Sequence, residues 1–486
     1  MSEAARHQVI IIGSGFAGLC MGIRLRQAGI EDFVILEQAD DIGGTWRDNT
    51  YPGAGCDVPS HLYSFSFAPN PDWSRMFASQ PEIWAYMQQC ADKFGLRPFI
   101  RLNQQVTRAE FDETEDQWRV QVNGEGWLQA RFLVSGVGAL SRPAQPDIPG
   151  LSSFTGKLFH SARWDHSYDL TAKKVGVIGT GASTIQLLPN IAPQAAHTTV
   201  FQRTPPWILP KPDRMISPME RSLYRRYPFL LWFSRQVIYW VLEWRVMGFV
   251  LHPGIMKLVE KKALSHLARQ TPDPALRAKL TPQYTLGCKR VLISNDYYQA
   301  LGRKDVTLET TPIDAITATG VRTQDGVNHD FDAIILATGF QAAEAVIPFD
   351  LIGLGGVSLN QAWENGAEAM LGVTISGFPN FFMVVGPNSG LGHSSMIFMI
   401  ESQVNYILDA MNKARELGVK QIHLRSRAQR LFNESLQQRL QRSVWKSGCQ
   451  SWYQTKSGKI TTLWPGFTVE YRRRTRKVNE ADYEWL

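Results

Sequence analysis

The 486-residue chain has five cysteines, Cys20, Cys56, Cys90, Cys288 and Cys449, and no two of them stand as a CxxC pair. That scatter offers no zinc-ligand spacing and no dithiol redox motif, so neither a metal nor a disulfide is expected, and a reducing cytoplasmic compartment fits. Charge of one sign is also scarce. With 51 Lys+Arg against 44 Asp+Glu, the net charge is only +7, which favours anionic ligands without arguing for nucleic acid. The one dense basic run, "RRRTRK" from Arg472 to Lys477, reads as a solvated strand or tail. A long uninterrupted hydrophobic run is missing too. The best candidate, Phe229 to Leu251, carries Arg235, Glu243 and Arg245, and charges there are costly in hydrocarbon. A buried or interfacial helix is expected, with peripheral membrane contact left open but not expected. The polar start "MSEAARHQ" runs straight into an apolar strand, so a signal peptide is not expected.

What is present is a long chain of globular composition, 44% hydrophobic with mean hydropathy −0.20, suited to two or three domains. Its first forty residues read as strand, glycine turn, helix and strand. Val9–Ile12 is continuously apolar, as a strand buried on both faces should be. Gly13, Gly15 and Gly18 follow, then a helix from Phe16 to Gln27, then "FVILE" ending on Glu37. In such a unit the first glycine permits the turn and the second lets backbone approach a pyrophosphate. The third lets helix and strand pack closely, and the acid accepts from ribose hydroxyls. This first site reads as FAD or NAD.

The pattern returns once. Val175–Ile178 is a strand, Gly179 and Gly181 the turn, and "TTVFQR" the next strand. Thr184 occupies the third glycine position, so the helix here must pack less tightly. Arg203 and Thr204 stand where the first copy has its acid, a cation and a hydroxyl that suit a 2′-phosphate, so this site reads as NADP. Residues 206–286 have helical spacing and read as an insertion. Alternating strands with a hairpin at Asp325–Gly326 follow, then a buried strand at Ala333–Ala337 and another at Phe381–Val385. A glycine-rich turn and the helix beginning "MIFMIESQ" come next. The expected fold is α/β, with two Rossmann-like dinucleotide-binding domains and a helical insertion in the second. Residues 1–141 and 340–486 would form the FAD domain and 150–205 and 287–339 the NADP domain.

Three further stretches carry a resemblance. "FTGKLFHSARWD", Phe154 to Asp165, matches FxGxxxHxxxW(P/D), with Trp164 where related amine- and sulfide-oxidising flavin enzymes carry Tyr. "GGTWRDNTYPGAGCDVPS" matches a longer upstream signature through Gly44, Trp46, Tyr51, Pro52, Gly53 and Asp57, and "GCKR" ends on Lys289 and Arg290. Together they resemble the type I Baeyer–Villiger monooxygenases over nearly the whole chain. The resemblance implies FAD and NADPH as cofactors, with O2 and a ketone as substrates. Reduced flavin would add oxygen at C4a, and the resulting peroxide would convert the ketone to an ester or lactone.

It also implies roles. Arg290 would be the fixed cation that stabilises the reacting oxygens, and Asp57 its partner. FAD would lie against Gly13, Ser14, Gly15, Phe16, Ala17, Gly18, Glu37, Gln38, Gly44, Thr45, Trp46, Asp57, Val58, Tyr63, Val106, Asn388 and Met396. NADP would lie against Gly179, Thr180, Gly181, Ala182, Ser183, Arg203, Thr204, Lys289 and Trp452. His160 would order the joint between the domains. Separately, the composition of the aromatic-rich insertion and of "TTLWPGF" (Thr461 to Phe467) points to a roomy apolar pocket that suits cyclic, aryl or open-chain ketones alike. Two rivals stand beside this reading: a flavin monooxygenase for sulfides or amines, and a flavin- and NADPH-binding sensor without oxygenase turnover. A disulfide reductase lacks its paired cysteines.

Overall fold

A computed structural model of the chain describes residues 5–138, 140–251, 253–341, 347–449, 451, 453–455 and 457–486. The fold is α/β, organised on two main sheets. The larger sheet draws strands from both ends of the chain. At its centre Ala5–Ile12 lies parallel to Phe33–Leu36 on one side and to Gly126–Ser135 on the other. Val106–Asp112 and Gln117–Val122 extend it as an antiparallel meander, and Asp350–Ile352 and Phe381–Met383 add from the C-terminal part. The fully apolar Val9–Ile12 and Phe33–Leu36 are buried on both faces, as parallel strands covered by helices require. Helix Phe16–Gln27 packs on one face together with the long helix Met396–Leu417.

The second sheet is five-stranded and wholly parallel. Its order is Val306–Glu309, His197–Phe201, Lys174–Ile178, Ala333–Leu336 and Lys157–His160. In both sheets the strand that feeds the glycine turn has neighbours on both sides reached by opposite crossovers. The turn therefore opens at a topological switch point, where open α/β sheets bind ligands. The hairpin at Asp325–Gly326 joins Gly320–Thr323 to Asn328–Asp330, with Gly326 at φ +84°.

The insertion is largely helical, as its spacing predicts, with helices Pro218–Arg226, Pro228–Glu243, Met256–Gln270 and Pro274–Leu280. Short strands Ile208–Leu209 and Leu292–Ile293 pair at its two ends and stitch it shut. Among the described residues no helix is long and apolar enough to cross a membrane.

Two expectations are corrected. Cys288 and Cys449, 161 residues apart in sequence, form a disulfide, which no local spacing could reveal because only the fold brings them together. The basic run is solvated but is neither strand nor tail: Thr468–Arg474 is a helix whose arginines stay exposed, Arg472 lying 3.6 Å over the Phe398 ring and pairing with Glu401, and Arg474 pairing with Glu470. Those acids come from sequence-distant or helical neighbours that charge counting along the chain does not see.

Candidate active site

The first glycine turn is closed by direct backbone contact. Gly13 adopts φ +93°, and a Cβ on Gly18 would lie 1.8 Å from the Gly13 carbonyl oxygen. No larger residue could stand there without moving the helix. Gly15 meets nothing nearer than the Gly44 Cα at 3.9 Å, so its backbone is free to receive a phosphate group. Glu37 is buried at the end of the second strand. Its carboxylate accepts from the Ser14 amide (2.9 Å), the Ser14 hydroxyl (2.6 Å) and the Ala39 amide (3.0 Å), and Arg47 pairs with it at 3.3 Å.

A cavity of about 880 Å³ runs from this turn into the molecule. Of the residues expected to hold FAD, Gly13, Ser14, Gly15, Phe16, Ala17, Glu37, Gln38, Gly44, Thr45, Trp46, Asp57, Val58, Tyr63, Val106 and Met396 all line it. Gly18 stands behind the wall and shapes it. The Trp46 indole donates to the Tyr63 hydroxyl at 3.0 Å, and Phe16 packs edge-on against the Tyr63 ring. Asn388 is a departure. It is buried at φ +54°, and its side-chain amide donates to the carbonyls of Ile460 and Leu463. It therefore holds the 460–463 stretch in place, while Gly386, Pro387, Thr461, Thr462 and Leu463 form the wall instead.

The same cavity is lined from the other lobe by Ala182 and Ser183, the first residues of the second motif's helix. Arg290 reaches its wall and donates to Asp57. Asp57's charge raises the Arg290 guanidinium above its ordinary value, and burial opposes this without overcoming it. Burial pushes the Asp57 carboxyl up, but Arg290's charge and hydrogen bond, with help from Lys211, hold it below the usual carboxylate range. The cavity thus carries a permanently charged pair. Cys56 beside it is a neutral thiol, pushed up by burial and by the charge of Asp57, so thiolate chemistry is not available there.

The second turn is more open. Gly179 sits at φ +114°, where a Cβ would meet the Ala337 carbonyl at 2.5 Å, whereas a Cβ on Gly181 would meet nothing within 4 Å. The buried Thr184 donates its hydroxyl to the Gly179 carbonyl at 2.8 Å, so helix and strand stand apart by the width of a side-chain hydrogen bond. Thr180 donates to the Thr204 carbonyl at 3.1 Å, which ties the turn to the end of the next strand. Arg203 is exposed and has no acid partner among the described residues. Lys289 is lowered by burial and then by the charge of Arg203, so two cations meet near the position read as the 2′-phosphate site. Trp452 lies outside the described residues.

The fingerprint stretch joins the two lobes. His160 ends the edge strand Lys157–His160, and its Nδ1 accepts from the Ala162 amide at 3.0 Å. Burial lowers its pKa, which favours the neutral ring. Trp164 packs edge-on against Phe159, Arg163 pairs across the joint with Asp48 at 3.4 Å, and Thr50 bonds His166 at 2.7 Å. A second clasp was not legible in the sequence: the Gln186 side chain accepts from the Tyr51 hydroxyl (2.8 Å) and donates to the Gly55 carbonyl (2.9 Å). Gly53 packs so closely there that a Cβ would meet Asn190 Nδ2 at 2.2 Å. Tyr453 and Arg245, which also line the cavity, carry no sequence signal at all.

Residues 10–227 match the family model described as pyridine nucleotide-disulphide oxidoreductase. A Baeyer-Villiger monooxygenase of Streptomyces coelicolor is 47% identical over 99% of this chain and 92% of its own length. One of Pseudomonas aeruginosa is 48% identical with the same coverage. Among solved structures, OTEMO in complex with FAD and NADP superimposes with a TM-score of 0.90 at 29% identity, covering 100% of both chains. Cyclohexanone monooxygenase from Rhodococcus sp. Phi1 bound to NADP+ does so with a TM-score of 0.90 at 28% identity, covering 99% of both.

Proposed function

The chain belongs to the Baeyer–Villiger monooxygenases, and from that premise we propose which of its residues carry the reaction and on what substrate class. It is an NADPH-dependent flavoprotein monooxygenase with FAD and NADPH as cofactors. The substrates we assign are O2 and a ketone, which leaves as an ester or lactone. The observation that carries this reading is a single cavity faced by the first glycine motif, by Ala182 and Ser183 at the head of the second motif's helix, and by an Arg290 that Asp57 keeps charged.

The cradle fits FAD. A closed glycine turn, an acid at the strand end and an apolar and aromatic wall through Trp46, Tyr63 and Met396 match a dinucleotide with a flat ring. The open second turn with Arg203, Thr204 and Lys289 fits NADPH, and the two sheets with their stitched insertion fit two Rossmann-like domains with the boundaries given above. The bound flavin supplies hydride acceptance from NADPH and activation of O2. The protein's own part is electrostatic and geometric. Arg290 faces the cavity as a donor that stays charged, and with the cofactor bound it would stabilise negative charge on the reacting oxygens. Asp57 orients that guanidinium. Gln186 and the fingerprint stretch hold the lobes so that the two cofactors meet in one chamber, and burial of the walls excludes water.

The test is NADPH consumption by the purified flavoprotein with cyclic, aryl and linear ketones, with products identified by mass. Ester or lactone bearing one added oxygen supports the reading. Sulfoxide or N-oxide from parallel sulfide and amine assays, with every ketone inert, would replace it.

A further inference from the structure

Helix Pro228–Glu243 has two faces of opposite chemistry. Its charged residues turn inward: buried Arg235 donates to the carbonyls of His61 (2.6 Å) and Ser64 (3.0 Å). Buried Glu243 accepts from the Thr468 hydroxyl (2.8 Å) and the Val469 amide (3.1 Å). The outward face is dominated by large apolar side chains, with the part-exposed Gln236 among them. Phe229 (65%), Trp232 (62%), Phe233 (60%), Trp240 (48%), Val241 (59%) and Trp244 (64%) are exposed, and their spacing sets them on one stripe. Together they expose on the order of 600 Å² of apolar surface, at the top of the range for a monomer's largest patch and typical of a functional one.

The flanks say what covers it. Arg214 to Lys262 carries nine Lys and Arg against three Glu, so a tenth of the chain holds six of its seven net positive charges. The three acids are engaged: Glu220 pairs with Arg214 at 2.8 Å, Glu243 is buried, and Glu260 accepts from the Leu286 amide at 3.1 Å. Arg225 pairs with Asp72 at 2.5 Å. Arg221, Arg226, Lys257, Lys261 and Lys262 have no acid partner among the described residues. A tryptophan-rich stripe flanked in sequence by unpaired cations, with Arg226 on the helix Pro218–Arg226 that packs against it, suits a lipid interface carrying negative headgroups. A second copy of the chain fits poorly, because a two-fold contact would set the same cations against themselves.

We propose that this face docks the enzyme on an anionic phospholipid bilayer, the helix lying flat with its aromatics among the headgroups and the basic flanks on lipid phosphates. The inner side of the same helix supplies Leu242 to the cavity wall. Docking therefore brings the cavity to within about one helix diameter, roughly 10 Å, of the lipid. The proposal takes up the peripheral contact that the sequence left open, because the sequence shows the charges in the run but not that they point inward.

The experiment is sedimentation of the flavin-loaded enzyme with vesicles of phosphatidylcholine alone and of phosphatidylcholine mixed with phosphatidylglycerol. Partition should be at least about tenfold stronger on the anionic vesicles and should fall as salt is raised. Trp232→Ser/Trp240→Ser should lose about tenfold or more of that binding while keeping its flavin absorbance and NADPH oxidation. Lys257→Gln/Lys261→Gln/Lys262→Gln, with changes only at exposed positions, should lose it by a similar factor and decides the matter if the tryptophan variant folds poorly. Equal binding to both vesicle types, no binding to either, or binding unchanged in the lysine variant would overturn the proposal. So would a concentration-dependent dimer that the tryptophan variant dissolves, which would give the face to a second copy.

Discussion

The two glycine turns share one strand–turn–helix plan and differ in how the helix meets the strand. At Gly18 a Cβ would lie 1.8 Å from the Gly13 carbonyl, so backbone touches backbone. At Thr184 a hydroxyl bridges 2.8 Å to the Gly179 carbonyl. The strand ends differ in the same sense. Glu37 is buried among four partners, and Arg203 is exposed without an acid. The difference teaches a division of labour. The closed turn suits a resident FAD whose polar groups are all met inside the protein. The open turn suits an NADPH that must arrive and leave on each turnover, where tight burial would slow release.

The comparison breaks most severely at its tightest point. Gly18→Ala must push helix Phe16–Gln27 off the strand, at a cost of about 1–3 kcal/mol or more. It should yield protein that loses its flavin on gel filtration, read by the ratio of flavin to protein absorbance. Retained flavin would show that the close contact is dispensable.

Next comes the cation between the two turns. Arg290→Ala should lower product formation by a factor on the order of 10² or more while flavin content stays normal; near-normal ester formation would remove Arg290 from the mechanism. The pH dependence of this pair follows from its directions. Asp57 is held below its ordinary value when folded, so its contribution is present above the unfolded carboxylate pKa of about 3.9 and is lost as pH falls through the lower folded value. Arg290 is raised and stays charged at alkaline pH. A pH–stability profile of wild type against Asp57→Asn should therefore differ by a constant amount above about pH 5, and converge only in acid.

A smaller effect tests the open site. Arg203→Ala removes an exposed, unpaired cation, so thermal stability should stay within about 0.5 kcal/mol. The KM for NADPH should rise about tenfold, with that for NADH nearly unchanged. A parallel rise for both coenzymes would deny Arg203 the 2′-phosphate. The smallest change is Thr184→Ala, which leaves the Gly179 carbonyl without its donor. It should cost about 1 kcal/mol, a few degrees of Tm at most, with flavin content unaffected. Comparable damage from Thr184→Ala and Gly18→Ala would erase the distinction between the turns.

How much could be read beforehand depended on the range of the interaction. Strand Val9–Ile12, helix Phe16–Gln27 and the Asp325–Gly326 hairpin were legible because each is set by neighbours a few residues away. Gln186 was not, since nothing in a helix following a glycine turn marks one glutamine as the clasp for Tyr51 and Gly55. Asn388 illustrates the converse. The resemblance set it against the flavin; in the fold its Nδ2 donates to the carbonyls of Ile460 and Leu463, behind the residues that line the cavity.

By itself the sequence determined the two glycine turns, the acid that ends one strand and the cation that ends the other, because turn conformation and helix and strand period are local properties of the chain. The Arg290–Asp57 contact was implied by the resemblance and is present in the fold, whereas tertiary structure alone decided that Cys288 reaches Cys449 and that Arg235 and Glu243 face inward beneath a bare aromatic stripe. Those pairings join segments that only the packing of two sheets and an inserted helical layer brings within bonding distance, and no local periodicity encodes them.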